Sequence, residues 1–165
     1  MNLINALAIS IGVLAAVATW VCLGNGAGLQ VWALFIGWGA FYHTGGKVEA
    51  LTKNSINHIW GVAVAAVTLF VVGSVAGSVV VTSVIVGVSV VVLVLGAHLP
   101  ALATIPAGVY GYASTAAGTL LTGVALTDTA ALGKAAMMIA VSLIVGNVFG
   151  IVSEKVAGAM VAKAE

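Results

Sequence analysis

Long apolar runs, separated by glycine, proline or charge, divide this chain into six segments. A helix needs about 20 residues to cross the hydrocarbon core, and backbone amides in lipid must be paired within their own segment. This favours helix even for the valine-rich fourth run, because strands are much shorter. We therefore predict an all-α membrane protein with about six transmembrane helices. The runs cover residues 3–23, 29–43, 56–74, 77–97, 101–124 and 135–153.

Two of the six runs carry helix-interrupting residues. The run 29–43 is the shortest and contains Gly37 and Gly39. The run 101–124 contains Pro106. We predict broken or short helices in both places, and the first either crosses only in part or is unwound between its two glycines.

The two halves of the chain contain related stretches. Residues 35–46 read FIGWGAFYHTGG and residues 106–118 read PAGVYGYASTAAG. With three runs in each half, the second half enters from the opposite side, which predicts inverted repeats within one membrane domain, about 1–76 and 77–165. Such paired irregular segments in two repeats mark the substrate site of many transporters. Setting Gly37 against Gly108 aligns Phe41 with Tyr112, His43 with Ser114 and Thr44 with Thr115.

Two small-residue pairs extend the likeness between the halves. Gly73 and Gly77 end the third run, and Gly146 and Gly150 end the sixth. Small residues four apart let membrane helices approach closely, so we expect these glycines at helix contacts. Contact within one chain is favoured over a seam between copies, although so thin a bundle makes a homo-oligomer plausible.

Composition supports the membrane assignment and narrows the function. Hydrophobic residues make up 62% of the chain and charged residues 5%, against about 25% charged in soluble domains. The net charge is +1, which disfavours nucleic acid as a partner, because phosphates require clustered basic residues. The expected partners are membrane lipid and a small neutral solute.

The polar residues do not form a catalytic or metal-binding set. Carboxylates lie only in loops or at the ends of runs, and the histidines are isolated on different segments. Metal sites need several ligands at suitable spacing. We therefore predict no enzyme activity, no metal and no cofactor.

Lysines indicate the orientation. With six crossings, one side of the membrane receives four lysines and the other receives only Lys134. The positive-inside rule then places both termini in the cytoplasm. The four are Lys47, Lys53, Lys155 and Lys163.

The interrupted stretches also carry a family resemblance. Phe35-x-Gly37, Ala40-Phe41 and Gly45-Gly46, followed by Pro106, Tyr110 and Gly111, resemble domain-of-unknown-function family 1097. These are small, YcdZ-like bacterial inner-membrane proteins of similar length and span number. The resemblance implies the bacterial inner membrane but no activity.

The residues themselves favour a narrow, uncharged passage. Aromatic rings beside paired glycines suit a constriction, with hydroxyl and amide groups to bind a solute; selectivity then follows from pore width and donor placement. We expect a channel or facilitator for a urea-, amide- or ammonia-like solute or a gas. Alternatives are an accessory subunit of a membrane complex, or a proton-coupled transporter using His43 or His58. The candidate pore residues are Trp38, Phe41, Tyr42, His43, Thr44, Tyr110, Tyr112, Ser114, Thr115 and Asn147.

Overall fold

A computed structural model describes residues 1–24, 28–75 and 77–162 and contains six α-helices. No strand occurs among the described residues, so the predicted all-α class is confirmed. The predicted repeat boundary at residue 76, and the chain end with Lys163, lie outside them. The helices are α1 (Leu3–Gly24), α2 (Val31–His43), α3 (Lys47–Ser74), α4 (Val79–Leu95), α5 (Ile105–Leu121) and α6 (Thr129–Ala162).

Helix length separates these six into two groups. Within the described ranges, α1, α3, α6 and α4 with its extension to His98 are long and apolar enough to cross a membrane. α2 has 13 residues and α5 has 17, which gives lengths of about 20 and 26 Å. Both fall short of the roughly 30 Å hydrocarbon core. The protein is thus a membrane protein with one short helix at the middle of each half.

The first short helix is continuous. α2 runs through Gly37 and Gly39 without a break, so of the two predicted alternatives the short helix is confirmed and the unwound helix is wrong. The reason lies in packing, because a Cβ atom at Gly37 would overlap the carbonyl oxygen of Leu143 on α6. Gly37 therefore allows α2 and α6 to pack closely together.

The second predicted interruption precedes its helix. A 3₁₀ turn spans Pro100–Leu102, and Thr104 then forms the N-cap position of α5. Pro106 occupies the first turn of α5, where its missing N–H costs no helical hydrogen bond.

α2 packs along α6 over its whole length. At its start, the N–H of Gln30 donates to the Ser142 hydroxyl over 2.9 Å. Beyond its end, the N–H of Lys47 donates to the Glu154 carboxylate over 2.9 Å. From the first contact to the second, the residue numbers rise on both sides, so α2 and α6 are parallel.

α5 packs along α3 in the same way. The Asn57 amide donates to the carbonyl oxygen of Ala101, just before α5, over 3.0 Å. Leu126, just after α5, lies against Gly73 at the end of α3. α3 and α5 are therefore parallel, and each short helix lies along the long helix of the opposite half. This exchange of partners is what two intertwined inverted repeats produce.

Glycine contacts fix the register of the repeat. Cβ atoms at Gly37 and Gly146 would each overlap a carbonyl oxygen of the facing helix, and the same reciprocal pair is formed by Gly111 and Gly61. Gly37 thus corresponds to Gly111, one helical turn beyond Gly108. The alignment by residue likeness was wrong by that turn, because backbone approach decides which position must be glycine.

The remaining glycines of the two small-residue pairs differ in their contacts. Gly150 lies against Phe41 of α2, and Gly73 lies against Leu126. Gly77 precedes α4 and meets only side chains close to it in sequence. α6 continues well past Gly150, so that pair lies within the helix and not at its end.

Candidate functional site

Three cavities follow one another along the seam between α2 and α5. The two helices are antiparallel, so the start of α2 lies beside the end of α5. The middle one, called here the central cavity, is a groove that opens to the surface of the protein and has a volume of about 490 Å³. Its lining comes from these two helices alone, namely Trp32, Ile36, Gly39, Ala40, Tyr110, Ala113, Ser114 and Ala117.

The smallest of the three lies at the end of α2, and we call it the polar vestibule. Its volume is about 60 Å³. Its polar lining consists of His43, Thr44, Asn54, Thr104 and Tyr110. None of these side chains is an acid, lysine or arginine, so the vestibule offers hydrogen bonds without a permanent charge.

A wider cavity of about 290 Å³, the wide vestibule, lies at the opposite end of the seam. Gln30 and Gly118 border it, together with Thr122 and the exposed Lys134 from the start of α6. A side chain at Gly118 would meet Trp32 and Ile139, so these groups narrow the seam between this vestibule and the central cavity.

The cavities follow the approximate two-fold relation between the repeats. When the repeats are aligned by the glycine contacts, Ile36 is equivalent to Tyr110 and Gly39 is equivalent to Ala113. All four residues line the central cavity. The same alignment makes the two vestibules equivalent. The positions of Thr44, Thr104 and Asn54 in the polar vestibule correspond to those of Gly118, Gln30 and Ile139 in the wide vestibule.

Tyr110 separates the central cavity from the polar vestibule. Its side chain lines both spaces. The Tyr110 hydroxyl lies 3.0 Å from Nδ1 of the exposed His43, within hydrogen-bonding distance. This bond joins α2 to α5 where the seam narrows.

Behind the polar vestibule lies a polar network that begins at the half-buried Thr44 and continues through the fully buried Asn54, Asn147 and His58. The Thr44 hydroxyl is 2.8 Å from Oδ1 of Asn54, and the Asn54 amide donates to Oδ1 of Asn147 over 3.4 Å. The amide nitrogen of Asn147 is in turn 3.1 Å from Nδ1 of His58. An amide in an apolar interior needs such partners, since desolvation without them is costly.

Four buried polar atoms have no hydrogen-bond partner among the described residues. They are Oδ1 of Asn57, Nε2 of His58 and the hydroxyl oxygens of Ser114 and Thr119. Ser114 is 1% exposed and lines the central cavity. Its hydroxyl oxygen is covered in this structure, although the residue borders that cavity.

Three predicted pore residues of α2 pack elsewhere. Trp38 donates from Nε1 to the hydroxyl of Ser153 on α6 over 3.0 Å, and the Tyr42 hydroxyl lies 2.7 Å from the same oxygen. Phe41 is fully buried against Gly150. These rings hold α2 to α6 and do not line the described cavities.

The predicted residues of α5 divide between the cavities and the packing. Tyr110 and Ser114 line the central cavity. Tyr112 instead reaches Ser89 of α4 over 2.8 Å, and Thr115 donates to the carbonyl oxygen of Gly111 over 2.9 Å. The structure thus brings His43 and Thr44 together with Tyr110, and it places Asn147 in the network behind them.

Sequence reasoning missed Asn54 and Thr104. Asn54 lies between the second and third predicted runs, but α3 begins at Lys47 and carries it on a buried face. Its spacing to Asn57 and His58 is that of one helical face, a signal available in the sequence. Thr104 lies near the start of the fifth predicted run, and no local pattern singles it out.

Within the described residues, no group of three or more His, Cys, Asp or Glu side chains could hold a metal ion. His43 and His58 belong to different environments, the first exposed and the second buried against Asn147.

Comparison with known proteins gives a family. No curated protein and no solved structure matches the chain. The family model described as "Protein of unknown function (DUF1097)" matches residues 8–158, which covers nearly all of the described helices. The chain therefore belongs to the DUF1097 family.

Proposed function

We propose that this protein is a facilitator for a small uncharged polar solute in the bacterial inner membrane. The solute passes along the seam between α2 and α5, through the wide vestibule, the central cavity and the polar vestibule. The observation that carries this proposal is the series of three cavities on the two-fold relation of the repeats. Short helices at corresponding positions of two repeats are the usual place for a transport site.

The chemistry of the lining favours a neutral solute. The central cavity and the polar vestibule are bordered by apolar, hydroxyl, amide and imidazole groups. Ions or ion-coupled substrates normally require charged or titratable groups at this depth. The polar vestibule holds about two water volumes, at roughly 30 Å³ each. A urea-, amide- or ammonia-like molecule, or a gas, fits that size.

The proposed orientation places the polar vestibule at the cytoplasmic end. Lys47 and Lys53 are close in sequence to Thr44 and Asn54, which line this vestibule. Lys155 follows Glu154, whose carboxylate accepts a hydrogen bond from the backbone N–H of Lys47. Lys134 borders the opposite vestibule. The positive-inside rule then puts both termini in the cytoplasm.

A plug at the centre of the seam tests the proposal. Gly39 lines the central cavity, and a Cβ atom there would meet nothing within 4 Å. Gly39→Trp should therefore fill the cavity and lower solute flux into proteoliposomes at least tenfold. Gly12→Trp is the matched control, because Gly12 is an exposed position on α1 that is equally free of neighbours. Equal flux in both variants, or no flux of any small solute in the unmodified protein, would refute the conduit.

His58 favours proton-coupled transport as the second candidate. It is a fully buried imidazole with one unpartnered nitrogen, and ionisable groups inside membrane proteins commonly serve proton relays. Uptake that requires a pH gradient would support coupling, whereas uptake that follows the solute gradient alone supports the facilitator.

An accessory or homo-oligomeric role has a different signature. The valine-rich α4 is largely exposed, and we propose that it faces lipid acyl chains. Absence of flux together with purification in a fixed complex would instead assign the protein to an accessory subunit.

A further inference from the structure

The two vestibules are related by the repeat, but their polar groups differ. At the polar vestibule stand Thr44, Asn54 and Thr104, where the wide vestibule has Gly118, Ile139 and Gln30. Two of the three polar groups are thus replaced by a hydrogen atom and a hydrocarbon. The wide vestibule keeps the polar side chains of Gln30, Thr122 and Lys134. The two ends therefore differ in the groups that they offer, and only the polar vestibule offers hydrogen bonds without a permanent charge.

The polar vestibule offers both donors and acceptors. The side chain of Thr104 does not cap α5, so its hydroxyl is available to donate and to accept. The Thr44 hydroxyl donates its proton to the carbonyl oxygen of Ala40 or to Oδ1 of Asn54, which leaves its own oxygen free to accept. Hydroxyl and imidazole groups of Tyr110 and His43 complete the wall.

The buried network holds this arrangement in place. Asn54 is fully buried and joins Thr44 to Asn147, so the Thr44 oxygen has a fixed direction. A site built from fixed hydrogen-bonding groups rejects a molecule that cannot satisfy them far more strongly than an apolar pocket rejects a molecule of the wrong size. Fixed donors and acceptors without charge match a carbonyl oxygen and an adjacent N–H group.

Resting on the proposed conduit, we propose that the polar vestibule is a selectivity site for small carboxamides and ureas. Thr44 and Thr104 are its specificity-determining residues. A solute there presents N–H groups to the Thr44 oxygen and a carbonyl oxygen to the hydroxyl of Thr104. Gases leave both groups unsatisfied, and solutes that only accept hydrogen bonds leave the Thr44 oxygen unsatisfied, so the site disfavours both.

The test compares urea and acetamide with dimethyl sulfoxide, which is small and neutral but has no donor. Proteoliposomes should show protein-dependent flux of urea and acetamide at least tenfold above that of dimethyl sulfoxide. Thr104→Val keeps the shape of the side chain and removes one neutral hydrogen bond. It should lower urea flux about three- to tenfold.

Thr52→Val provides the matched control away from the cavities. Thr52 is exposed on α3, and its hydroxyl donates to the carbonyl oxygen of Val48 in the same helix. This variant should transport urea like the unmodified protein. Equal fluxes of urea and dimethyl sulfoxide through the unmodified protein, or equal losses in Thr104→Val and Thr52→Val, would overturn the selectivity site.

The outcomes separate the two proposals. Flux that is blocked by Gly39→Trp but does not distinguish urea from dimethyl sulfoxide overturns the selectivity site and leaves the conduit standing. The Thr104 hydroxyl does not cap α5, so Thr104→Val should fold normally. Loss of urea flux in this variant, with unchanged protein yield and a helical circular dichroism spectrum, supports the site.

Discussion

At the scale of single residues, glycine acts in this protein mainly as a contact surface. Gly37 and Gly146 on one helix pair, and Gly61 and Gly111 on the other, bring backbones so close that a methyl group would overlap a carbonyl oxygen. Close backbone approach is a known source of membrane-helix association, because lipid provides little hydrophobic drive between helices. These four positions therefore carry much of the packing of the two short helices.

Gly146→Ala should destabilise the protein by about 1–3 kcal/mol, because the added methyl group cannot be placed without moving α2. Thermal unfolding in detergent should show a midpoint lower by several degrees, at about 2–4 °C for each kcal/mol. Gly133→Ala on the same helix has free space around it and should be neutral or slightly stabilising. Equal midpoints in the two variants would contradict the proposed contact.

At the scale of helices, the structure distinguishes a short helix from a broken one. α2 keeps its hydrogen bonds through Gly37 and Gly39, whereas the chain before α5 is interrupted by the Pro100–Leu102 turn. The sequence signal was similar in both places, since glycine permits either a bend or close packing. At Gly37 the glycine is needed for close packing against α6. The residues around Gly37 in the sequence do not show that α6 lies there.

Gly39→Pro tests the continuity of α2. Proline within a helix removes one hydrogen bond and clashes with the preceding turn, at a cost of about 3 kcal/mol or more. We expect a marked loss of folded protein and of thermal stability. Gly39→Ala should be tolerated, because a Cβ atom there meets nothing within 4 Å. A proline variant as stable as the alanine variant would mean that the segment is unwound.

At the scale of the whole molecule, the two repeats exchange partners. Each short helix packs along the last helix of the opposite half, and the seam between the short helices contains the cavities. The two ends of the seam are therefore formed by equivalent helices, but different polar side chains line them. This arrangement also places Lys53 and Lys134 at opposite ends of the bundle.

Cysteine labelling checks that arrangement. In a Cys22→Ser background, Lys53→Cys should react with an impermeant maleimide only from the cytoplasmic side, and Lys134→Cys only from the outer side. Intact cells and inverted vesicles provide the two directions. Labelling of both positions from the same side would exclude the three-plus-three inverted topology.

The sequence by itself determined the environment and the class of fold. Depletion of charge requires a membrane, and backbone pairing in lipid requires helices, so both follow from composition and run length. It also located the two short segments and placed Tyr110, Ser114, His43 and Thr44 among the candidates. Only the tertiary structure decided which polar groups meet, because the contacts of Thr44 with Asn54 and of Asn54 with Asn147 join distant helices. Trp38 and Phe41 show the same limit, since a buried ring can line a passage or fill a helix contact, and the position of α6 decides between them.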